Sequence, residues 1–228
     1  MNKINIAIDG YAGTGKSSTA KALANMLGYT YVDSGAMYRA VTLYFIENKI
    51  DIQKPDEVEK ALNQIRIEFD YNDYQQLVLL NDEDVTADIR HDTINNKVSE
   101  VSSIPAVRSA MVKQQRKIGS QKGVVMDGRD IGTNVFPSAE LKIFMEADID
   151  VRTIRRYNEI ISKEPHSNIV KEDIRENLIK RDDIDSSRSQ NPLIKAKDAL
   201  VINTSKLSFN EQLNIAYEQA KSRISERN

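Results

Sequence analysis

The 228-residue chain has no cysteine, which excludes disulfides, thiolate catalysis and cysteine-based zinc sites and suits a reducing cytosol. Histidine is nearly absent: His91 and His166 stand too far apart in sequence to suggest a local metal pair. Neither charge dominates. With 32 Lys+Arg against 34 Asp+Glu, a net charge of -2 and a pI near 5.8, the chain lacks the global basic field of a nonspecific nucleic-acid or membrane-surface binder. Any anion it binds must be held by a local cluster. Long apolar runs are missing too: Ile4 to Ile8 is stopped by Asp9 and Gly10, far short of a signal peptide or a membrane span, so a soluble, unprocessed protein is expected. The five prolines are scattered rather than gathered into a linker, and no repeat or low-complexity tract is present.

What is there alternates strand and helix. Ile4 to Ile8 is short, β-branched and almost continuously apolar, as a parallel strand buried on both faces should be. A glycine-rich loop follows, then a helix from Ser17 to Leu27 with Ala20, Leu23, Ala24 and Leu27 on one stripe. Tyr29 to Val32 reads as a second strand and Met37 to Asn48 as a second helix. The alternation is then interrupted. Charged residues alternate with Ile65, Ile67, Phe69 and Tyr71, Asn72-Asp73 turns the chain, and strands end near Leu80 and Val85, so roughly Ile50 to Arg90 is expected to be a small antiparallel insertion with one wet face. Helical patterns resume from Asp92 to Lys117, broken at Pro105. Further buried strands are expected at Gly123 to Met126, Leu141 to Met145 and Leu200 to Ile202, with charged helices from Asp150 to Lys163 and from Lys171 to about Asp183. Ser208 with Glu211 makes a capping box for a last helix. Five short apolar strands with intervening helices imply a doubly wound α/β fold on a parallel sheet.

The loop Gly10-Tyr11-Ala12-Gly13-Thr14-Gly15-Lys16-Ser17 fits G-x-x-x-x-G-K-[ST] at every fixed position and lies between a strand and a helix, as a P-loop must. Glycines let backbone N–H groups approach phosphate oxygens, and the helix that follows adds the positive end of its dipole. Lys16 is placed to reach β and γ phosphates, and the Ser17 hydroxyl to ligate Mg²⁺. A P-loop alone does not separate a kinase from a switch GTPase or a motor ATPase.

Other segments carry the acceptor signal. In YVDSGAMYRA, Asp33 ends the second strand and Ser34 and Arg39 follow it, at the edge where open α/β sheets place ligands. In VVMDGRDIGT, Asp127 ends an apolar strand, the position of the acid that supports Mg²⁺ or its waters, and Arg129 and Asp130 sit between Gly128 and Gly132. In KRDDIDSSR, Arg181, Asp185 and Arg188 share a helix face if the helix persists. Arg152, Arg155 and Arg156 form a further basic group. Alone, the first cluster reads equally as an ordinary helix cap, the third reads better as a salt-bridged helix surface, and the further basic group fits a solvated face. The Arg129–Asp130 turn favours a site, because surface loops seldom need two flanking glycines. Together the clusters supply what two phosphate esters need, since unit negative charges a few ångströms apart repel by about 4 kcal/mol per pair at intermediate dielectric. Arg39, Arg108, Arg129, Arg181 and Arg188 form such a set in a chain with no overall positive charge.

The segments IDGYAGTGKSS, DSGAMYRA, DGRDIGTNVFP, KIFMEA, KRDDIDSSR and PLIKAKDALVINTS, in order over nearly the whole chain, resemble the bacterial cytidylate kinase family, the CMP/dCMP kinases of the nucleoside monophosphate kinase group. The resemblance implies a five-stranded parallel sheet flanked by helices, a mobile lid, and an enlarged nucleotide-binding region with a small antiparallel sheet. On that pattern residues 1–36, 118–150 and 184–228 form the P-loop core, 37–117 the monophosphate-binding region with its insertion near 65–90, and 151–183 the lid. It implies ATP as donor with Mg²⁺, the loop from Gly10 to Ser18 (Tyr11, Ala12, Gly13, Thr14, Gly15, Lys16 and Ser17 between them) around its phosphates, and lid arginines Arg152, Arg155 and Arg156 facing it. The metal falls to Ser17, with Asp127 or Asp33 acting through water. By the same resemblance Arg39 and Arg129 would hold the CMP phosphate with Arg181 helping, Ser34, Arg108, Asp130 and Arg188 would surround cytosine, and Ser99 and Asp185 would meet the pentose hydroxyls. Lys16, Arg129 and Arg181 are the catalytic set. The partners implied are CMP, dCMP and ATP, without nucleic acid or membrane, for a cytoplasmic monomer. The chain departs from the family at Asn203, where Asp is more usual, and over residues 163–170 of the lid. A P-loop kinase for another small acceptor such as UMP, shikimate or dephospho-coenzyme A is the rival enzyme. A nucleotide-dependent switch is the rival from another class, although no guanine-specifying N-K-x-D motif is present.

Overall fold

The computed structural model describes residues 2–72 and 75–227. The chain forms two compact units, Met1–Tyr31 with Gln121–Asn228, and Val32–Ser120.

The first unit is built on β1 (Asn5–Gly10), β6 (Val124–Gly128), β7 (Leu141–Glu146) and β8 (Leu200–Asn203), and the five-stranded parallel sheet has the order β2-β6-β1-β7-β8, with β2 spanning Thr30–Asp33. β1 is central, pairing in register with β6 (Ile8 opposite Asp127) and with β7 (Ile8 opposite Ile143), and every one of its residues is buried. That burial on both faces explains the β-branched run Ile4-Asn5-Ile6-Ala7-Ile8. Helix α1 (Lys16–Leu27) packs against β6 and against α8 (Phe209–Ser225), seating Ala20, Leu23 and Ala24 among Ile4, Ile6, Val125, Ile143 and Ala216. Each fully buried Ile or Leu contributes roughly 1.5–3 kcal/mol relative to exposure. The expected capping box starts α8: Ser208 Oγ accepts from Glu211 N, and Ser208 N donates to Glu211 Oε2 at 2.7 Å. Helices α6 (Ile149–Lys163) and α7 (Lys171–Ser187) pack on each other. α7 runs one turn beyond the sequence-based end near Asp183, so Arg181 and Asp185 lie on one continuous helix and Arg188 is the first residue past it.

The second unit contains α2 (Ser34–Glu47), α3 (Pro55–Leu62), the antiparallel sheet β3-β4-β5 (Ile67–Asn72, Gln75–Leu80, Glu83–Asp84), α4 (Asp92–Ser103) and α5 (Pro105–Ile118). Its core gathers Met37, Val41, Phe45, Val58, Ile67, Val78, Leu80, Ile89, Val101 and Met111. The expected insertion is present with Phe69 opposite Val78; Asp73, half of the predicted turn, lies outside the described residues. α2 starts three residues earlier than its apolar pattern suggests because the Asp33 carboxylate, not Ser34, caps it by accepting from Ala36 N at 3.0 Å. α3 has no counterpart in the sequence reading, although Pro55 at its start and Asp56 and Glu57 in its first turn are helix-opening signals. Pro105 breaks α4 from α5 as expected, holding Ile104 in an extended conformation.

Candidate active site

The P-loop is the short link between β1 and α1. Gly10 lies at φ +141, and a Cβ there would come within 1.9 Å of the Met145 carbonyl oxygen, so no side chain fits where the loop leaves the sheet. Gly15, at φ +90, turns the chain into α1, whose first residue is Lys16. Lys16 is only 6% exposed, and its ammonium donates to the Tyr11 carbonyl at 2.6 Å; the Thr14 hydroxyl donates to the same oxygen at 2.9 Å. Burial, helped by the charge of Arg129, pushes Lys16 down from the ordinary 10.5 to about 7, against the pull of Asp127, Asp9 and Asp185. An anion with several charges is the natural relief for such a lysine.

Ser17 opens toward Asp127. Its hydroxyl donates to Asp127 Oδ2 at 2.8 Å, and Tyr31 OH donates to Oδ1 at 2.9 Å, so the strand-end acid is fixed beside the loop. These are hard oxygen donors of the kind Mg²⁺ takes, and among the described residues no cluster of three or more His, Cys, Asp and Glu could hold a metal alone. The donor set therefore fits an ion held partly by substrate phosphates. Asp33 sits differently: Oδ1 caps α2 and Oδ2 accepts from Arg39 Nη2 at 2.7 Å. Burial pushes its carboxyl up, but the Arg39 charge and the two hydrogen bonds outweigh this and hold it below the usual range.

The three basic residues of α6 diverge. Arg152 is buried on the loop: Nη1 donates to the Ala12 carbonyl at 3.2 Å and to Asp182 Oδ2 at 2.6 Å, and its guanidinium lies 5.3 Å from the Tyr11 ring centroid, which meets Phe144 edge-on. Arg155 grips Thr204 with both forks, Nη1 to the hydroxyl at 2.9 Å and Nη2 to the carbonyl at 2.7 Å, while that hydroxyl donates to the Thr14 carbonyl at 3.0 Å. Arg156 pairs with Glu159 one turn along its own helix. Ser18 is exposed on the first turn of α1.

Beyond β6 the chain makes a single π-helical turn, Ile131–Val135, in which Phe136 N donates to the Ile131 carbonyl. Its N-terminal neighbours carry the acceptor motif. Arg129 Nε donates to Asp185 Oδ2 at 2.6 Å and Nη1 to the Gly10 carbonyl at 2.9 Å. Arg188 Nη2 meets Asp130 Oδ1 at 3.2 Å, Nη1 lies 3.5 Å from Asp185 Oδ1, and Nε donates to the Asn191 carbonyl. Burial raises the Asp185 carboxyl, yet Arg129, Arg188 and Arg181 together hold it below the usual range. Arg129, Asp130, Asp185 and Arg188 thus form one network around two buried carboxylates, with Arg181 one turn before Asp185.

In the second unit Arg39 and Asp33 pair over Gly35, where a Cβ would come within 3.1 Å of both charged groups. Ser34 is buried at the start of α2. Arg108 is 1% exposed, stacks 5.5 Å from the Tyr38 ring centroid and donates to the Ser102 carbonyl at 3.3 Å; Ser102 in turn donates to the Ser99 carbonyl.

Three residues at the site escaped the sequence reading. Asp9, 4% exposed at the end of β1, accepts from Ile131 N at 2.8 Å and Gly132 N at 2.7 Å, and burial pushes it up to about 6 against those two hydrogen bonds. Asp182 and Thr204 hold the α6 arginines. Asp9 had a visible signal, an acid closing a buried strand just before the glycine loop; the partners of Arg152 and Arg155 had none.

A parallel sheet that delivers a glycine loop, a buried lysine and a Ser–Asp pair to one edge defines a P-loop nucleotide-binding protein of the α/β class. The cytidylate kinase family model matches residues 6–222, and the chain belongs to that family. It is 49% identical over 215 residues to a cytidylate kinase of Cytophaga hutchinsonii, covering 93% of this chain and 91% of that one. A cytidylate kinase of Flavobacterium psychrophilum is 47% identical over 223 residues, 96% of this chain and 98% of the relative. Among solved structures, an uncharacterized protein from Eubacterium ventriosum shares the fold with a TM-score of 0.53 at 14% identity, covering 97% of this chain and 99% of that one. Among the described residues no helix is long and apolar enough to cross a membrane.

Proposed function

We propose that this protein transfers the γ-phosphoryl group of ATP to the 5′-phosphate of CMP and dCMP, giving CDP or dCDP and ADP. The observation that carries the reading is the family match over residues 6–222 of a chain whose P-loop lysine is buried beside a Ser17–Asp127 pair. The loop N–H groups and the N-terminus of α1 receive the ATP phosphates, and Lys16 exchanges its bond to the Tyr11 carbonyl for phosphate oxygens. Mg²⁺, when bound, neutralises phosphate charge; the Ser17 hydroxyl holds it, with Asp127 supporting it directly or through water.

Arg39 and Arg129 bind the CMP phosphate, Arg129 giving up the Gly10 carbonyl as it does so, and Arg181 assists. The acceptor oxygen is already ionised, so no strong general base is needed. Positioning and fixed positive charge supply most of the acceleration. Ser34 and Asp130 accept from the cytosine amino group, Arg108 and Arg188 donate to its ring acceptors, and Ser99 and Asp185 meet the pentose. Uracil reverses the donor pattern, and each unpaired buried group then costs about 1–3 kcal/mol. Helices α6 and α7 act as the lid that excludes water, with Arg152 as its fixed base on the loop. The protein acts as a cytoplasmic monomer on small nucleotides, apart from nucleic acid and membranes.

The test is ADP release with ATP and Mg²⁺, comparing CMP, dCMP, UMP, AMP and no acceptor at matched concentration. Stimulation by CMP and dCMP is expected. Equal rates with UMP would remove the base assignment, and turnover indifferent to every acceptor would return the protein to the switch class.

A further inference from the structure

We propose that Asp9 is a positioning residue for the acceptor side of the reaction, holding the Arg129–Asp130 loop in place through two backbone hydrogen bonds from the end of β1. The carboxylate sits on the central strand, opposite Gly128, at a point fixed by pairing on both sides. Both of its oxygens are used: Oδ1 accepts from Ile131 N at 2.8 Å and Oδ2 from Gly132 N at 2.7 Å. These donors immediately follow Asp130 and are the first two N–H groups of the π-helical turn, too early in it to reach one of its own carbonyls.

A buried chain end of this kind is costly unless its donors are satisfied, and a carboxylate accepting both is the strongest neutralising partner available. Gly132 makes the approach possible. A Cβ there would lie 3.3 Å from Asp9 Oδ2 and 3.2 Å from Lys142 Cδ, so a side chain would crowd the anchor and force it to give by a few tenths of an ångström. The next residue along β1, Gly10, accepts from Arg129 Nη1. Without nucleotide, two consecutive residues therefore hold the loop by three hydrogen bonds at the point where the P-loop begins, and the two to Asp9 remain when Arg129 turns to CMP. Asp9 touches neither substrate in this account; it acts through Ile131 and Gly132 on where Arg129 and Asp130 stand.

The proposal rests on the reading that Arg129 and Asp130 meet CMP, and the test separates the two. Asp9→Asn keeps shape but offers one acceptor and turns an N–H toward the second donor. Since a displacement of about 1 Å costs roughly 100-fold in rate, kcat/KM for CMP is expected to fall about 10- to 100-fold through KM for CMP, with KM for ATP changed by no more than about 2-fold. Amide hydrogen exchange at Ile131 and Gly132 should quicken at least about 10-fold without nucleotide, while β1 and β6 keep their protection. Gly132→Ala, which strains the same anchor from the other side, should show the same split, and it decides the matter if Asp9→Asn does not fold. Arg129→Ala is measured in parallel. If it loses CMP and both anchor variants do not, or if KM rises equally for both nucleotides, the positioning role is wrong. If Arg129→Ala leaves CMP untouched, the acceptor reading fails, and the exchange rates alone then uphold or overturn the anchor.

Discussion

Replacing Lys16 with methionine should abolish activity and, near neutral pH, make the ligand-free protein more stable. The ammonium is buried with one hydrogen bond, to the Tyr11 carbonyl, and lies in the field of Arg129. Its depression from 10.5 to about 7 corresponds, at about 1.4 kcal/mol per unit, to a folding cost of ~5 kcal/mol when the group is charged. Methionine removes that cost but forfeits a charged hydrogen bond worth about 1.5–3 kcal/mol, leaving a net gain of about 2–3.5 kcal/mol. For a chain of this length each kcal/mol moves Tm by about 2–4 °C, so a rise of roughly 4–14 °C is expected at pH 6.5. The sign with pH follows from linkage. Below about 7 both states bind the proton and the full cost is present. Between 7 and 10.5 the unfolded chain binds a proton that the folded protein does not, so wild-type stability from this group rises with pH and the advantage of the variant shrinks. Urea unfolding of both proteins at pH 6.5 and 9.5 reads this directly. A Lys16→Met variant less stable than wild type at pH 6.5, or one whose advantage does not shrink at pH 9.5, would refute the reasoning. Its kcat should fall about 10²- to 10³-fold or more, the usual loss of a preorganised transition-state donor.

Asp185→Asn removes the carboxylate shared by Arg129 and Arg188 and should destabilise by about 3–5 kcal/mol in urea unfolding, because the Arg129 charge keeps only the Gly10 carbonyl and Arg188 must rely on Asp130 and the Asn191 carbonyl. Since its folded carboxyl titrates below the ordinary 3.8, this contribution is complete above pH 4 and is lost as the pH falls through the lower folded value, so the gap between the two proteins should close in acid. Thr204→Val deletes the hydroxyl that joins Arg155 to the Thr14 carbonyl and should raise KM for ATP about 5- to 10-fold in steady-state kinetics, the worth of about one hydrogen bond, with Thr204→Ser restoring it. Adding Arg155→Ala to Thr204→Val should cost less than the two changes summed, since both break one link.

What was legible in the sequence follows from range. The strands could be read because burial on both faces writes short β-branched runs ended by an acid or a glycine, and the P-loop because its conformation demands glycine at fixed spacing. Helix α3 buries only two of its eight residues, Val58 and Ala61, so its signal lies in its end residues rather than in an apolar stripe. The end of α7 is not legible because the charged run to Ser187 has almost no apolar periodicity. At the site, spacing put Arg181 and Asp185 on one face, but nothing in the sequence pairs Arg129 with Asp185, 56 residues away, or Arg155 with Thr204, 49 away. Those links are made by strands and helices converging at the carboxyl edge of the sheet, and so is the hold of Asp9 on a loop 122 residues further on.

Phosphoryl transfer between two nucleotides is followed by the label of γ-³²P-ATP in the presence of CMP and Mg²⁺. Label should appear in CDP, at its β-phosphate, with inorganic phosphate at background; label released as inorganic phosphate while CDP stays unlabelled would show hydrolysis in place of transfer.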